Sequence, residues 1–253
     1  MHHYTRAFAV HSYEVDAFGE LTAPSLAGYL QEIAGNHASA LGWSLAELMS
    51  QGLTWVLARQ RIEVAASIRA GDVLEVTTWP SGLDRLAALR DFSLRRQRDG
   101  VEVARAVSHW FVLDLETRRP VRPERVVTSV PADLPPHVFP PRERRLPALE
   151  RLFAEQRFRT RYSDIDVNQH VNNLSYVAWA LESVPEQTWR GQRLAAIDVQ
   201  FLAECRYGSA VLSRTAAAGG GVFRHAIVRE EDGRELARLE TDWEPREGTP
   251  SGP

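Results

Sequence analysis

Arg161-Tyr162-Ser163-Asp164-Ile165-Asp166-Val167-Asn168-Gln169-His170-Val171-Asn172-Asn173 places an acid, an amide and an imidazole at every second residue. Side chains two apart share one side of an extended segment. The spacing therefore predicts that Asp166, Asn168 and His170 converge on one point. The run Leu174-Ser175-Tyr176-Val177-Ala178-Trp179-Ala180-Leu181-Glu182 then reads as an apolar-rich helix, with Asn172 or Asn173 as its N-cap. A helix start offers unpaired N–H groups and a partial positive charge. A carboxylate, an amide, an imidazole and such donors together are the parts of a hydrolytic site.

The pattern occurs twice. Tyr13-Glu14-Val15-Asp16 aligns with Ser163-Asp164-Ile165-Asp166 at a shift of 150 residues (166 − 16). Leu26, Tyr29, Leu30, Ile33, Ala34, His37 and Leu41 then fall at helical spacing. Further on, Arg69-Ala70-Gly71-Asp72 aligns with Arg206-Tyr207-Gly208-Ser209 at a shift of 137 (208 − 71), so the first copy holds 13 extra residues (150 − 137) between these points. The capping box Ser44-Leu45-Ala46-Glu47 predicts that they form an added helical turn or two near residues 44–51. Strand patterns follow at 54–66, 72–79, 87–98 and 101–114 in the first copy, and at 194–204, 209–217, 222–230 and 235–243 in the second. Asp99-Gly100 and Asp232-Gly233 mark hairpins. Gly219-Gly220-Gly221, with no Gly-Lys-Ser/Thr after it, reads as a hairpin turn rather than a phosphate loop.

One strand, one long helix and a meander of strands is the order of a hotdog domain. The expected fold class is α+β: two tandem hotdog domains, each an antiparallel sheet wrapped around a central helix. Eight of the 14 prolines (120, 123, 131, 135, 136, 140, 141 and 147) fall between the copies and predict an extended connection. The expected boundaries are 1–118 for the N-terminal domain, 119–150 for the proline-rich linker and 151–245 for the C-terminal domain. The tail from Pro245 to Pro253 is expected to be disordered.

Composition bounds the partners. The net charge is −3, with 30 basic and 33 acidic residues, which argues against a general nucleic-acid binder. Every basic residue is arginine, most simply a coding bias, although arginine also grips phosphates and carboxylates bidentately. No apolar run of about 18 residues exists, so no membrane partner is expected. The start lacks the apolar core of a secretory signal. The single cysteine, Cys205, fits a reducing cytoplasm. The eight histidines show no metal-ligand spacing, so neither a metal nor a cofactor is expected.

The chain resembles the acyl-acyl carrier protein thioesterases of the double-hotdog kind along most of its length. In the first copy the likeness rests on Ser12-Tyr13-Glu14, Leu30-Gln31-Glu32 with Asn36-His37, Trp55-Val56 followed by Arg59, and Gly71-Asp72 ahead of Thr78-Trp79. In the second it rests on the opening string, Tyr176, Trp179, Leu181-Glu182-Ser183 and Glu204-Cys205. The resemblance implies a bacterial-type, cytoplasmic enzyme that releases free fatty acid from acyl carrier protein. It puts the family's catalytic Asp, Asn, His and Glu on Asp166, Asn168, His170 and Glu204, and its cysteine on Cys205. The first copy has Phe18, Glu20 and Ser67 where the second has Asn168, His170 and Glu204, so chemistry is expected in the second half and an acyl-chain pocket in the first. A fused pair is expected as a monomer (pseudo-dimer) or a homodimer.

Each residue also has a plainer reading. Asp166 alone is a helix-proximal acceptor, and Asp164 is expected to be surface charge or such an acceptor. Glu204 and Cys205, taken as strand neighbours, should face opposite sides. Cys205 then joins Val199, Phe201 and Ala203 in the core as an inert hydrophobe. The arginines 95, 96 and 98, and 142, 144 and 145, read first as solvated faces and second as a dock for an acidic carrier. Rival functions are an acyl-CoA thioesterase, a hotdog hydratase or dehydratase, and a non-catalytic acyl-binding protein.

Overall fold

Two copies of one unit succeed each other in the computed structural model, which describes residues 3–127, 137–139 and 145–246. The chain divides into Met1–Glu143 and Arg144–Pro253.

The first unit opens with β1 (Tyr4–Ala9) and a 3-10 turn, Ser12–Glu14, before α1 (Ala23–Ala40). Thr22 caps α1 by accepting from the Ser25 amide, and Pro24 sits in the first turn, where its missing N–H costs nothing. The capping box starts α2 (Leu45–Ser50) as expected. β2 (Leu53–Val64), β3 (Val73–Asp84), β4 (Ala87–Arg96) and β5 (Glu102–Asp114) follow. Antiparallel pairing gives the order β1-β3-β4-β5-β2. Buried Leu26, Leu30 and Ile33 lie on one face of α1, and the sheet supplies the inward row Thr78, Phe92, Ala106 and Ile62, in direct register and all buried.

The second unit repeats this with β7 (Ala154–Arg159), a 3-10 turn at Tyr162–Asp164, α3 (Asn173–Glu182) and α4 (Glu186–Gly191). β8 (Gln192–Phe201), β9 (Ala210–Gly219), β10 (Val222–Arg229) and β11 (Glu235–Pro245) pair in the order β8-β11-β10-β9-β7. Each unit is a hotdog. Gly219-Gly220-Gly221 makes the β9–β10 turn, and Gly221 is obligatory: it holds φ 84°, and a Cβ there would meet the Trp243 carbonyl oxygen at 2.3 Å.

Two expectations change. The extra length of the first copy goes chiefly into α1, eight residues longer than α3 (18 − 10), because α2 has a six-residue counterpart in α4. Part of the proline-rich stretch is structured: Pro120–Val121 forms β6, paired with β5, and the buried Val126 and Val127 pack with Trp43, Leu48, Leu53 and Val112. Val138 donates its N–H to the buried Asp91 at 2.9 Å. The rest of the expected linker, at 128–136 and 140–144, and the expected disordered tail at 247–253 lie outside the described residues.

Candidate functional site

The segment 166–170 is not extended. It is a tight loop closed by backbone bonds from the Asp166 N–H to the His170 carbonyl (2.8 Å) and from the Gln169 N–H to the Asp166 carbonyl (3.1 Å). Gln169 takes φ 63° to complete the turn. Short polar side chains such as Asp favour local backbone bonds of this kind over an open strand. The Asp166 carboxylate folds back on its own loop, accepting from the N–H groups of Asn168 (2.8 Å) and His170 (3.4 Å). The three side chains therefore do not converge by alternation. Asn168 stands exposed.

His170 meets Glu204 across the chain. Nε2 of the imidazole lies 3.3 Å from Oε2 of the carboxylate, with the histidine side chain 21% exposed and the glutamate 39%. Glu204 is not in a strand: β8 ends at Phe201, and an irregular segment carries residues 202–209 to β9. The Val171 N–H donates to the Cys205 carbonyl at 2.9 Å, which ties the entrance of α3 to the residue beside Glu204. Arg229 on β10 adds a second tie, with Nη1 3.4 Å from the Glu204 carbonyl while the same guanidinium holds Asp232. Sequence reading gave Arg229 no role; its only signal was the Asp232-Gly233 hairpin next to it.

Cys205 points the other way and is fully buried. The opposed orientation expected of strand neighbours holds although the strand has ended. Tyr176, buried over Cys205, has its hydroxyl pKa raised, chiefly by burial and then by Cys205. Its ring meets Trp179 and Phe201 edge-on at 5.5 and 5.8 Å.

Asn172 is the N-cap of α3, its Oδ1 accepting from the Leu174 N–H at 3.0 Å. The donors around it are already used. The Val171 N–H goes to Cys205, the Asn172 N–H to the Asp164 carbonyl (2.7 Å) and the Ser175 N–H to the Asn172 carbonyl (3.0 Å). Among the described residues the N–H of Asn173 has no acceptor, which makes it the available donor at the positive end of α3. Asp164 is not surface charge. It is buried, accepting from the Arg161 N–H (2.7 Å), and its other oxygen is 3.0 Å from the Arg161 guanidinium and 3.4 Å from the Ser175 hydroxyl.

The arginines expected on solvated faces are held by local acids: Arg95 by Glu102, Arg96 by Asp99 and Asp72, and Arg98 by the same two. Arg142 and Arg144 lie outside the described residues. Among the described residues no three His, Cys, Asp or Glu side chains group to hold a metal ion, and no helix is long and apolar enough to cross a membrane.

Residues 1–129 match the acyl-ACP thioesterase N-terminal domain and residues 149–245 the C-terminal domain of the same family. A palmitoyl-acyl carrier protein thioesterase of Cuphea hookeriana, chloroplastic, is 32% identical over 97% of this chain, which spans 63% of that protein's length. The oleoyl-acyl carrier protein thioesterase 1 of Arabidopsis thaliana, also chloroplastic, is 31% identical over 95% of this chain and 75% of its own. Two solved structures align over 96% of this chain and 98% of theirs, each at 26% identity. They are an acyl-ACP thioesterase from Bacteroides thetaiotaomicron, with a TM-score of 0.84, and the 12:0-ACP thioesterase from Umbellularia californica, at 0.85. Both halves match in order and a relative about a third identical runs along nearly the whole chain; the protein belongs to the acyl-ACP thioesterase family.

Proposed function

We propose that this protein hydrolyses fatty acyl thioesters carried on acyl carrier protein, and that the second unit performs the chemistry while the first holds the acyl chain. The observation that carries the proposal is the 3.3 Å contact between His170 and Glu204, two side chains from separate segments, at the start of a helix with a spare N–H.

Glu204, partnered by His170, takes a proton from water as the oxygen adds to the thioester carbonyl carbon. A placed general base supplies about 10²–10⁴-fold. The carbonyl oxygen becomes an oxyanion at the Asn173 N–H, and a donor set for that charge contributes about 3–4 kcal/mol. The C–S bond then breaks, the thiolate takes the proton, and the fatty acid leaves. Asn168, exposed on the loop, orients the water or the thioester. Asp166 is a positioning residue, since its carboxylate holds the loop amides of Asn168 and His170.

The partner is the carrier with its phosphopantetheine arm, and the compartment is a reducing cytoplasm. The test is thiol release from acyl-carrier protein and acyl-CoA by wild type, Glu204→Gln and His170→Ala. The proposal fails if either variant keeps wild-type turnover, and the carrier assignment fails if acyl-CoA is the better substrate.

A further inference from the structure

We propose that the first unit contains a binding site for the carboxylate of an alkyl-chain acid, built from Arg90, Ser108 and Gln60 on the sheet face beneath α1. The hydrolysis reading enters only in choosing an alkyl chain as the ligand's body.

Inward residues of the first sheet come in registered rows. Thr78–Phe92–Ala106–Ile62 is one row. Two residues along, on the same face by alternation, Arg90 pairs with Ser108 and Ser108 with Gln60. The first row is apolar except for Thr78; in the second, beside the buried Pro80 that pairs with Arg90, three members are polar and just as buried, with Arg90 7% exposed, Ser108 0% and Gln60 4%.

Arg90 reaches up to the helix. Nη1 donates to Nδ1 of His37 at 3.0 Å and to the Thr78 hydroxyl at 3.2 Å. An arginine cannot accept, so His37 receives that bond as a neutral imidazole. Burial draws the Arg90 pKa down to about 10, and the guanidinium keeps its charge at neutral pH. Among the described residues no carboxylate lies within ion-pair distance of it, and its Nε and Nη2 donate to nothing. The Gln60 amide likewise has no partner among them. A buried cation is ordinarily matched by an anion, because desolvation is otherwise uncompensated. A carboxylate supplies the missing charge and accepts two parallel N–H bonds from one guanidinium.

The second unit provides an internal control. Thr215 corresponds to Thr78 (215 − 78 = 137), and the row equivalent to Arg90–Ser108–Gln60 is Phe223–Thr241–Ile197. The buried His225 in the neighbouring row, opposite Thr215, is satisfied at both nitrogens, by Thr215 at 2.8 Å and Thr241 at 2.9 Å. In the first copy Arg90 and Gln60 keep donors that no described residue accepts.

The carboxylate has two chemical sources: a free fatty acid, or the far end of an acyl chain that bears a second carboxyl. In one arm, dodecanoate and dodecanol are titrated calorimetrically, below micelle formation, into wild type, Arg90→Met and Gln60→Ile, the last copying the second unit. The acid should bind wild type about tenfold or more tightly than the alcohol, as expected for charge-assisted bonds. Arg90→Met should erase that difference and Gln60→Ile reduce it, while Arg90→Met melts no lower than wild type. In the other arm, kcat/KM is compared for dodecanoyl and ω-carboxydodecanoyl thioesters. A preference for the carboxylated chain that vanishes in Arg90→Met assigns the site to the acyl substrate; selectivity in binding alone assigns it to the free acid. Equal binding of acid and alcohol by wild type, with no preference between thioesters, overturns the proposal. So does selectivity that survives in the variants. If Arg90→Met does not fold, Gln60→Ile decides. Binding is read without turnover, so it stands or falls apart from the hydrolysis reading.

Discussion

Glu20 stands at the point of the first loop that His170 occupies in the second (170 − 20 = 150), and each is met by a side chain from the matching later segment. Ser67 donates to Glu20 at 2.7 Å; Glu204 lies 3.3 Å from His170. The scaffold around them is duplicated bond for bond. Asp16 accepts from the N–H groups of Phe18 and Glu20 as Asp166 does from Asn168 and His170. The Leu21 N–H reaches the Ile68 carbonyl as that of Val171 reaches Cys205. What differs is the pair of side chains at the centre, and a carboxylate facing a hydroxyl offers no imidazole to share a proton.

Removing either member of the second pair should therefore remove turnover and leave the fold. Glu204→Gln and His170→Ala are expected to lower kcat by about 10²–10⁴-fold, while thermal melting, followed by circular dichroism, stays near wild type because Glu204 is substantially exposed.

The two aspartates separate structure from chemistry. Asp16→Ala and Asp166→Ala each lose two backbone acceptor contacts and should each cost about 1–2 kcal/mol of stability. Only Asp166→Ala should also depress kcat. Urea melts and thiol release, measured on the same samples, make the comparison.

Cys205→Ala should keep most of the activity, because the thiol is fully buried. The expected change is a stability loss of about 1–2 kcal/mol from the small void. A thiol-specific reagent should label the native protein slowly and the denatured protein fast. Abolished turnover with Glu204→Gln active would reverse the assignment.

Gln169 holds φ 63° where the first copy has Gly19 at φ 74°. Gln169→Gly should relieve a left-handed conformation costing about 1 kcal/mol, partly offset by a more flexible unfolded chain. A small rise in melting temperature, with kcat unchanged or lower if the loop loosens, is the expected result.

His225 sets a pH dependence. Burial lowers its pKa from 6.5 to about 3. Above 6.5 it is neutral both folded and unfolded, and its contribution is complete. As pH falls through the window from 6.5 to about 3 the unfolded chain takes up a proton that the folded one refuses. Stability should then drop by up to about 1.4 kcal/mol per pH unit. His225→Gln should flatten that part of a stability–pH curve measured by chemical denaturation.

Much of this was legible from local rules. Ser44 and Glu47 specify a capping box whatever surrounds them, and Asp99-Gly100 and Asp232-Gly233 specify turns, both glycines taking positive φ. The repeat located Asp166 and Glu204 on matching elements. The reading failed where long-range packing decides. Alternation predicted an extended 166–170, but closure of the Asp166 carboxylate onto two amides won. The helix ends, by contrast, were legible: the helical spacing that runs to Leu41 and the apolar run that closes at Glu182 match the ends of α1 and α3 to within a residue. The inward row Gln60–Ser108–Arg90 was hidden because β4 reads as arginine-rich surface; only registration against β5 and β2 shows which way Arg90 faces.

The unequal helices, 18 residues against 10, bear on why such a protein is one polypeptide. Two identical chains related by a twofold axis must change together, so lengthening the roof of one lengthens the other and burying a cation in one buries it in both. Covalent duplication lifts that constraint. About 12 Å of additional helix, at 1.5 Å per residue, and the histidine it carries could be acquired on one side only. Asymmetry of this size is thus a property that gene fusion permits and that no homodimer of single hotdogs can reach.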